Sequence, residues 1–415
     1  MAITIAQAPN TLQPAYNDLN HVVTSTNYTQ ANFRYVCDLY VNGSSSFKRI
    51  KIPPDPTFGS GYFNPSRILE DYLTHDFDVS NIASYTCPNS LISYIVKFGE
   101  EYGLSSSGTT VYADLTVQSK KFIWNGVFDY EDYCNATFSN YQSGSTSSKM
   151  LTNAPDGKKV FIDSSTDSGN EFIYGINASS GDIYYLSVVT FDSSITPIGG
   201  YRIKNTDQAL TNDTQKMVGF PCGINMNAIS ASNIDILTGT LPIITSSVYG
   251  YTLQFIKFNS TATSESKTYY IDRTCTRYPL YELYFLNKLG GYDTFSFLKK
   301  SNFKSEIKRE TYKRNFGELT SATNYSINEN QRGRKDYSTV IDDTITLRSD
   351  YINEETQNWL EELVTSPDIY MLRDGEHIPI QIVTSQFERE QTVNKKLFNL
   401  IIDIKFSYKR FRQRG

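Results

Sequence analysis

The chain has 415 residues, with 39 Lys+Arg against 44 Asp+Glu, three His, five Cys and two Trp, and Tyr (31) and Phe (24) supply nearly all of its aromatic content. A chain of this length buries a real core and suggests two or three domains. Its aromatic load excludes disorder, and a net charge of −5 gives no whole-chain basic field for DNA or an anionic membrane. Aromatic and β-branched residues in a Ser/Thr/Asn-rich background favour strands joined by polar turns. That sets aside all-helical, collagen-like, coiled-coil and membrane-spanning folds.

Residues 1–140 carry the cleanest strand pattern. The start, Met1-Ala2-Ile3, opens neither a basic n-region nor an apolar h-region, so no secretory leader is expected and the sequons at Asn27 and Asn135 read as chance matches. Phe33, Tyr35, Cys37, Leu39 and Val41 alternate with Arg34 and Asp38, which predicts a strand with one buried face. Asn42-Gly43 predicts a tight hairpin to a partner strand over Phe47 to Ile52, because both residues tolerate positive φ. Asn64-Pro65 predicts a capped short helix over 64–73, with Ile68, Leu69, Tyr72 and Leu73 on one face. Further strands are expected over Leu91–Phe98 and Val111–Trp124.

The middle region, 141–274, opens on Gly144, a serine run and Asp156-Gly157. Strands are expected over Ile183–Phe191, Tyr251–Phe258 and Lys267–Ile271, separated by Ser/Thr/Asn stretches. An inserted β-domain and a set of decorating loops both fit.

Residues 275–415 differ in charge. From 299 onward there are 20 Lys+Arg against 18 Asp+Glu, leaving 19 against 26 in the first 298 residues. A strand over Thr339–Ser349 places Ile341, Ile345 and Leu347 on one face. Asn353 caps a predicted helix with Glu354 and Glu355 in its first turn, Trp359, Leu360, Leu363 and Val364 as its apolar stripe, and Pro367 as its stop. Asp374-Gly375 turns a hairpin between Ile369–Leu372 and Ile378–Val383. The final strand alternates Phe398, Leu400, Ile402, Ile404, Phe406 and Tyr408 against Asn399, Asp403, Lys405 and Ser407. The expected class is therefore mainly β with a few short helices: antiparallel, sandwich-like domains at 1–140 and 275–415 around a β-rich middle.

Chemistry finds few footholds. His21, His75 and His377 are scattered, and His75-Asp76 with Asp78 reads as a surface turn rather than a metal site. The cysteines (Cys37, Cys87, Cys134, Cys222, Cys275) form neither a disulfide framework nor a CxxC pattern, and read as reduced, mostly buried thiols. Gly290-Gly291-Tyr292 and Gly59-Ser60-Gly61 lack phosphate-loop spacing, and no GxSxG elbow precedes a helix. No cofactor, metal or catalytic residue is expected. A depolymerase would draw its acids from Glu100-Glu101 or from Asp129-Tyr130-Glu131-Asp132, but adjacent residues on a strand face opposite ways and Glu100 cannot serve with Glu101. Two basic clusters remain, Lys299–Arg314 and Lys405–Arg414. Their candidate subunit-contact residues are Lys308, Arg309, Lys313, Arg314, Lys409, Arg410, Arg412 and Arg414, and phosphate contact is the competing use.

Several segments together carry a resemblance. Phe33-Arg34-Tyr35-Val36-Cys37-Asp38-Leu39-Tyr40-Val41, Lys51-Ile52-Pro53, Gly61-Tyr62-Phe63-Asn64-Pro65-Ser66, Phe98-Gly99-Glu100-Glu101-Tyr102-Gly103 and Tyr284-Phe285-Leu286-Asn287-Lys288-Leu289-Gly290-Gly291-Tyr292-Asp293 resemble tail proteins of phages infecting Bacteroidota. So does the stretch from Leu347 through Asn394-Lys395-Lys396-Leu397 to Arg412-Gln413-Arg414-Gly415. The group most similar is the tail hub and ring (collar) proteins of crAss-like short-tailed phages, over about half of the chain. That resemblance implies a virion structural protein assembled in the host cytoplasm, one subunit of a homo-oligomeric ring of about six or twelve copies. It also implies docking to other tail or portal-proximal proteins, genomic DNA passing through the lumen without sequence recognition, and no membrane insertion. A receptor- or glycan-binding tail protein, with Tyr184 and Tyr185 as a platform, is the alternative.

Overall fold

The computed structural model describes residues 3–77, 84–103, 111–112, 116–162, 168–179, 181–206, 215–274, 277–313, 317–327, 333–384 and 398–412. Among the described residues strands hold 51% and helices 10%, which makes the fold mainly β, as the composition implies. Two compact units emerge: Met1–Ser164 with Gly169–Arg273 and Leu286–Thr294, and Ser165–Ser168 with Thr274–Phe285 and Phe295–Gly415. No helix among the described residues is long and apolar enough to cross a membrane.

The first unit contains two cores, each closed by a pair of sheets. A three-stranded sheet of Ile3–Gln7, His21–Ser25 and Gly61–Phe63 accompanies a seven-stranded one. The main path of the latter runs Leu12–Pro14, Lys121–Trp124, Leu91–Tyr102, Arg34–Val41, Phe47–Ile52. Ile3, Val23 and Phe63 from the small sheet share one core with Tyr35, Leu39, Tyr94, Val96 and Phe98 from the large one. This is the sandwich arrangement, in which inward-facing side chains of two sheets interleave. Asn42 and Gly43 adopt φ of 50° and 69° and turn the chain so that Tyr40 lies opposite Phe47.

Three local expectations for this half are corrected. Asp38 is not on a polar face: Arg34–Val41 is covered on both sides, and the enclosed Asp38 carboxylate accepts two 2.7 Å hydrogen bonds from Arg49. A buried charge survives where it is paired and hydrogen-bonded. The helix over 64–73 shrinks to Ser66–Glu70: Pro65 rather than Asn64 is its N-cap, and past Glu70 the amides of Tyr72 and Leu73 reach back only three residues, to Leu69 O and Glu70 O. The strand over Val111–Trp124 is broken into Val111–Tyr112, Thr116–Val117 and Lys121–Trp124.

The middle region forms a six-stranded sheet in the order Lys158–Phe161, Ala262–Asp272, Gly250–Ile256, Tyr185–Phe191, Pro197–Lys204, Ile234–Thr238. A three-stranded sheet of Phe172–Asn177, Lys216–Pro221 and Tyr85–Thr86 accompanies it. Ile173, Val218 and Phe220 share a core with Leu186, Ile203, Tyr251, Leu253 and Phe255. Tyr85–Thr86 comes from the first 140 residues and pairs with Val218 and Gly219, so one sheet draws on both regions.

The second unit is organised on an eight-stranded sheet. Its main path runs Tyr292–Phe297, Tyr281–Leu286, Ile369–Arg373, Glu376–Ile382, Phe398–Phe406, Arg334–Ile352, Asn302–Lys313, and Arg410–Phe411 also pairs with Arg334–Ile352. Asp374 and Gly375 take φ of 55° and 80° in the expected hairpin turn. The helix Glu354–Thr365 is capped as predicted, with Asn353 Oδ1 accepting from Thr356 N at 2.9 Å. Its Trp359, Leu360 and Leu363 are buried, and Trp359 meets the rings of Phe285 and Phe295 at 5.6 and 6.1 Å.

Candidate interaction surface

The long strand Arg334–Ile352 is the spine of the second unit. Asn302–Lys313 pairs along one side of it, from Asn302 opposite Thr346 to Lys313 opposite Arg334. On the other side, Phe398–Phe406 covers it from Ile352 to Thr344, and Arg410–Phe411 pairs with Ile341 and Val340. Among the described residues no strand but Asn302–Lys313 pairs with 334–338, so residues 334–338 and 310–313 form a two-stranded ribbon. Gly317–Ser321 and Asn324–Ile327 then form a separate hairpin.

Period two assigns the spine's side chains to faces. Ile341, Ile345 and Leu347 point to the buried face, where Ile402 and Ile404 lie across from Leu347 and Ile345. Asp343 occupies the same phase. Its side chain is only 7% exposed, and Arg410 grips it through two hydrogen bonds of 2.6 and 2.8 Å while Ser305 Oγ donates a third at 2.6 Å. Three strands are thus tied at one carboxylate. Arg410, foremost by its hydrogen bond, holds the Asp343 carboxyl below its ordinary value. On the opposite face, Asp342 draws Lys409 to 3.6 Å and Lys308 to 3.8 Å, and Lys308 also lies 3.6 Å from Glu306.

The two basic clusters, about a hundred residues apart in sequence, therefore converge on the Asp342-Asp343 pair. Arg410 is engaged in an ion pair with Asp343 while its side chain stays 49% exposed. Arg309 lies 3.9 Å from Asp336, Lys313 is exposed at the end of the ribbon, and the Arg412 amide donates to Thr339 O at 3.3 Å. Arg314 and Arg414 lie outside the described residues. Sequence reasoning missed the two aspartates. The signal was present, since an acid at the phase of Ile341, Ile345 and Leu347 calls for a buried partner.

Every residue of Asn302–Lys313 is exposed, and no other strand among the described residues pairs with its outer edge. Phe303 and Ile307 lie opposite Ile345 and Ile341, so they carry the apolar face of the sheet outward onto this edge, 59% and 48% exposed. Leu319, Tyr325 and Ile327 of the hairpin are exposed as well. An unpaired strand edge bearing apolar side chains is a template for another chain.

The remaining candidates have local explanations. Glu100 is buried and accepts from Ser25 Oγ at 2.5 Å and Asn27 Nδ2 at 2.7 Å, whereas Glu101 pairs with Lys51, so the two acids do face apart. Asp129 pairs with Lys288 at 2.7 Å beside a cleft of about 410 Å³ that Asp132 and Lys149 also line. Asp76 accepts from the Asn89 and Ser90 amides, so it is tied to a segment thirteen residues on and the expected local turn is not formed there, and Asp78 lies outside the described residues. Tyr185 is buried, while Tyr184 stacks edge-on to the exposed Phe258 at 4.8 Å. Cys37, Cys87 and Cys222 are buried thiols outside any disulfide, Cys134 is an exposed one, and Cys275 lies outside the described residues. Burial pushes the Cys37 thiol up to about 12, with Asp38 adding to it.

No protein-family model matches the sequence, and no curated protein matches it. Among solved structures, dimeric latent PorU from Porphyromonas gingivalis is similar at 7% identity with a TM-score of 0.17, over 83% of this chain and 32% of that one. The chain spans about a third of that structure's length, and a likeness at this level carries no inference about fold or function.

Proposed function

We propose that this chain is a virion structural protein, one subunit of a homo-oligomeric ring in the tail of a crAss-like short-tailed phage. The observation that carries this reading is the open edge strand Asn302–Lys313, where Phe303 and Ile307 extend an apolar sheet face to the surface beside interleaved Lys and Glu side chains. A second copy of the chain is the occupant that fits it. Ring closure covers strand edges that would otherwise promote open-ended association. Neighbouring tail or portal-proximal proteins dock above and below the ring, and genomic DNA passes through the lumen without sequence recognition. An acidic majority suits that passage, because a basic lumen would retain DNA through phosphate contacts. The role is mechanical, with no catalytic step and no cofactor.

Negative-stain imaging of the purified chain, alone and mixed with neighbouring tail proteins, tests this reading. Closed rings are expected, and monomers persisting in every mixture would count against it. The exposed Phe258 beside Tyr184 favours one second reading, a glycan- or receptor-binding tail protein. A glycan array on which binding is lost in Tyr184→Ala would support that reading instead.

A further inference from the structure

The first unit holds a charged pair that its ring role does not use. Lys158 begins the strand Lys158–Phe161 of one sheet, and Glu171 immediately precedes Phe172–Asn177 of the other, and the two sheets share one core. Both side chains are 7% exposed, and Lys158 Nζ lies 2.6 Å from Glu171 Oε2. Thr294 Oγ1 accepts from the same Nζ at 3.1 Å and hydrogen-bonds Glu171 as well. The surroundings are apolar and aromatic: the Tyr269 ring lies 5.9 Å from Nζ, Tyr251 stacks on Tyr269 at 5.5 Å, and Cys222 is fully buried. The Glu171 main chain is fixed too, its carbonyl accepting from Cys222 N at 2.8 Å and Asn225 Nδ2 at 3.0 Å.

Taking two charges out of water is expensive, and their attraction repays it only in part. Burial foremost holds the Glu171 carboxyl above its ordinary value against the opposing pull of Lys158, and Asp293 adds to the rise. Two reactive groups held at contact by a rigid framework react as if at very high concentration, because the entropy of bringing them together is already spent.

We propose that Lys158 and Glu171 close an intramolecular isopeptide bond, a covalent stitch between the two sheets of this core. A proton moves from Nζ to the carboxylate, giving amine and acid. Nζ then attacks Cδ of Glu171, the C–N bond forms, the C–OH bond breaks, and the hydroxyl leaves with an amine proton as water. No oxidant, reductant or cofactor enters the balance. Thr294 acts as a positioning residue that holds Nζ against the carboxyl. This inference stands apart from the ring reading, since a monomer closes the bond as well as a ring does.

Intact-mass spectrometry of the full folded chain, denatured only for injection, tests it. The wild type is expected one water lighter than its sequence mass, and a protease digest is expected to yield one branched peptide joining Lys158 to Glu171. Chain kept unfolded in denaturant from synthesis onward should hold its full mass, because only the fold brings the groups together. Lys158→Arg keeps a cation against Glu171 without offering an attacking amine and should also show full mass. Wild type at full mass after prolonged incubation in the folded state overturns the proposal, whether or not the variant folds. A lost water mapped elsewhere, to Asp293 included, overturns it equally.

Discussion

Arg410 closes a two-pronged hydrogen-bonded ion pair on Asp343, at 2.6 and 2.8 Å, across the pairing of Arg410–Phe411 with the long strand Arg334–Ile352. Asp343 stands where a strictly amphipathic strand would carry an aliphatic side chain, so its charge needs this partner and the Ser305 hydroxyl at 2.6 Å. Arg410→Gln is expected to lower the thermal midpoint more than Asp343→Asn does, because only the former leaves a charged carboxylate largely enclosed. The sign with pH follows from the depressed carboxyl of Asp343. Its contribution is present above the unfolded carboxylate value of about 4 and fades as pH falls through the lower folded one. Thermal melts should therefore show the gap between wild type and Asp343→Asn constant near neutrality and closing in acid. A gap that stays constant into strong acid would remove the pair from the explanation.

His21 loses stability in a different window. It is fully buried among the rings of Phe63, Tyr94 and Phe98, and burial, with Lys121 adding, lowers it from 6.5 to about 4. The unfolded chain binds the proton first, so stability is full above about 6.5 and declines as pH falls toward about 4. The decline is on the order of 3 kcal/mol. Urea titrations across that range should find it in the wild type and find it flattened in His21→Leu. Parallel curves for the two proteins would show that His21 is not the titrating group.

The helix Glu354–Thr365 separates a capping effect from a packing effect. Asn353→Ala removes the acceptor for the Thr356 amide and is expected to lower stability by about 1 kcal/mol. Trp359→Ala empties a site between Phe285 and Phe295 and is expected to lose about 3–5 kcal/mol. Chemical denaturation of both variants checks the order. Equal losses would mean that the helix is not anchored through its tryptophan.

The edge strand gives a surface prediction. Phe303→Lys with Ile307→Lys places two charges on exposed positions, so folding should change by less than about 1 kcal/mol. Association through the edge should be abolished. Sedimentation velocity reads the second effect and thermal melting the first. Rings that form undiminished from the double variant would move the contact elsewhere.

How much of this was legible in the sequence depends on which face each strand buries. Phe398–Phe406 and the Asp374-Gly375 hairpin were readable because one face packs inward and the other does not, and alternation records that asymmetry. Asn302–Lys313 was read as a basic cluster rather than a strand, because both of its faces are exposed and nothing enforces a period. Arg34–Val41 misled in the opposite sense: both faces are buried, so Asp38 looked like a polar-side residue when it is an enclosed one paired with Arg49. The convergence of Lys308, Lys409 and Arg410 on Asp342 and Asp343, and of Lys158 on Glu171, arises from strand pairing and core packing between distant segments. A local pattern does not encode those meetings, although an acid on the apolar phase at Asp343 announces that one must occur.

The most direct test of the ring reading is an electron-microscopy map of the assembled particle with this chain traced. The outer edge of Asn302–Lys313 is expected to lie against a neighbouring copy of the same chain, with Phe303 and Ile307 covered at every repeat around a closed ring. A tail in which that edge faces solvent in every copy, or in which the chain stands as isolated monomers, would contradict the proposed role.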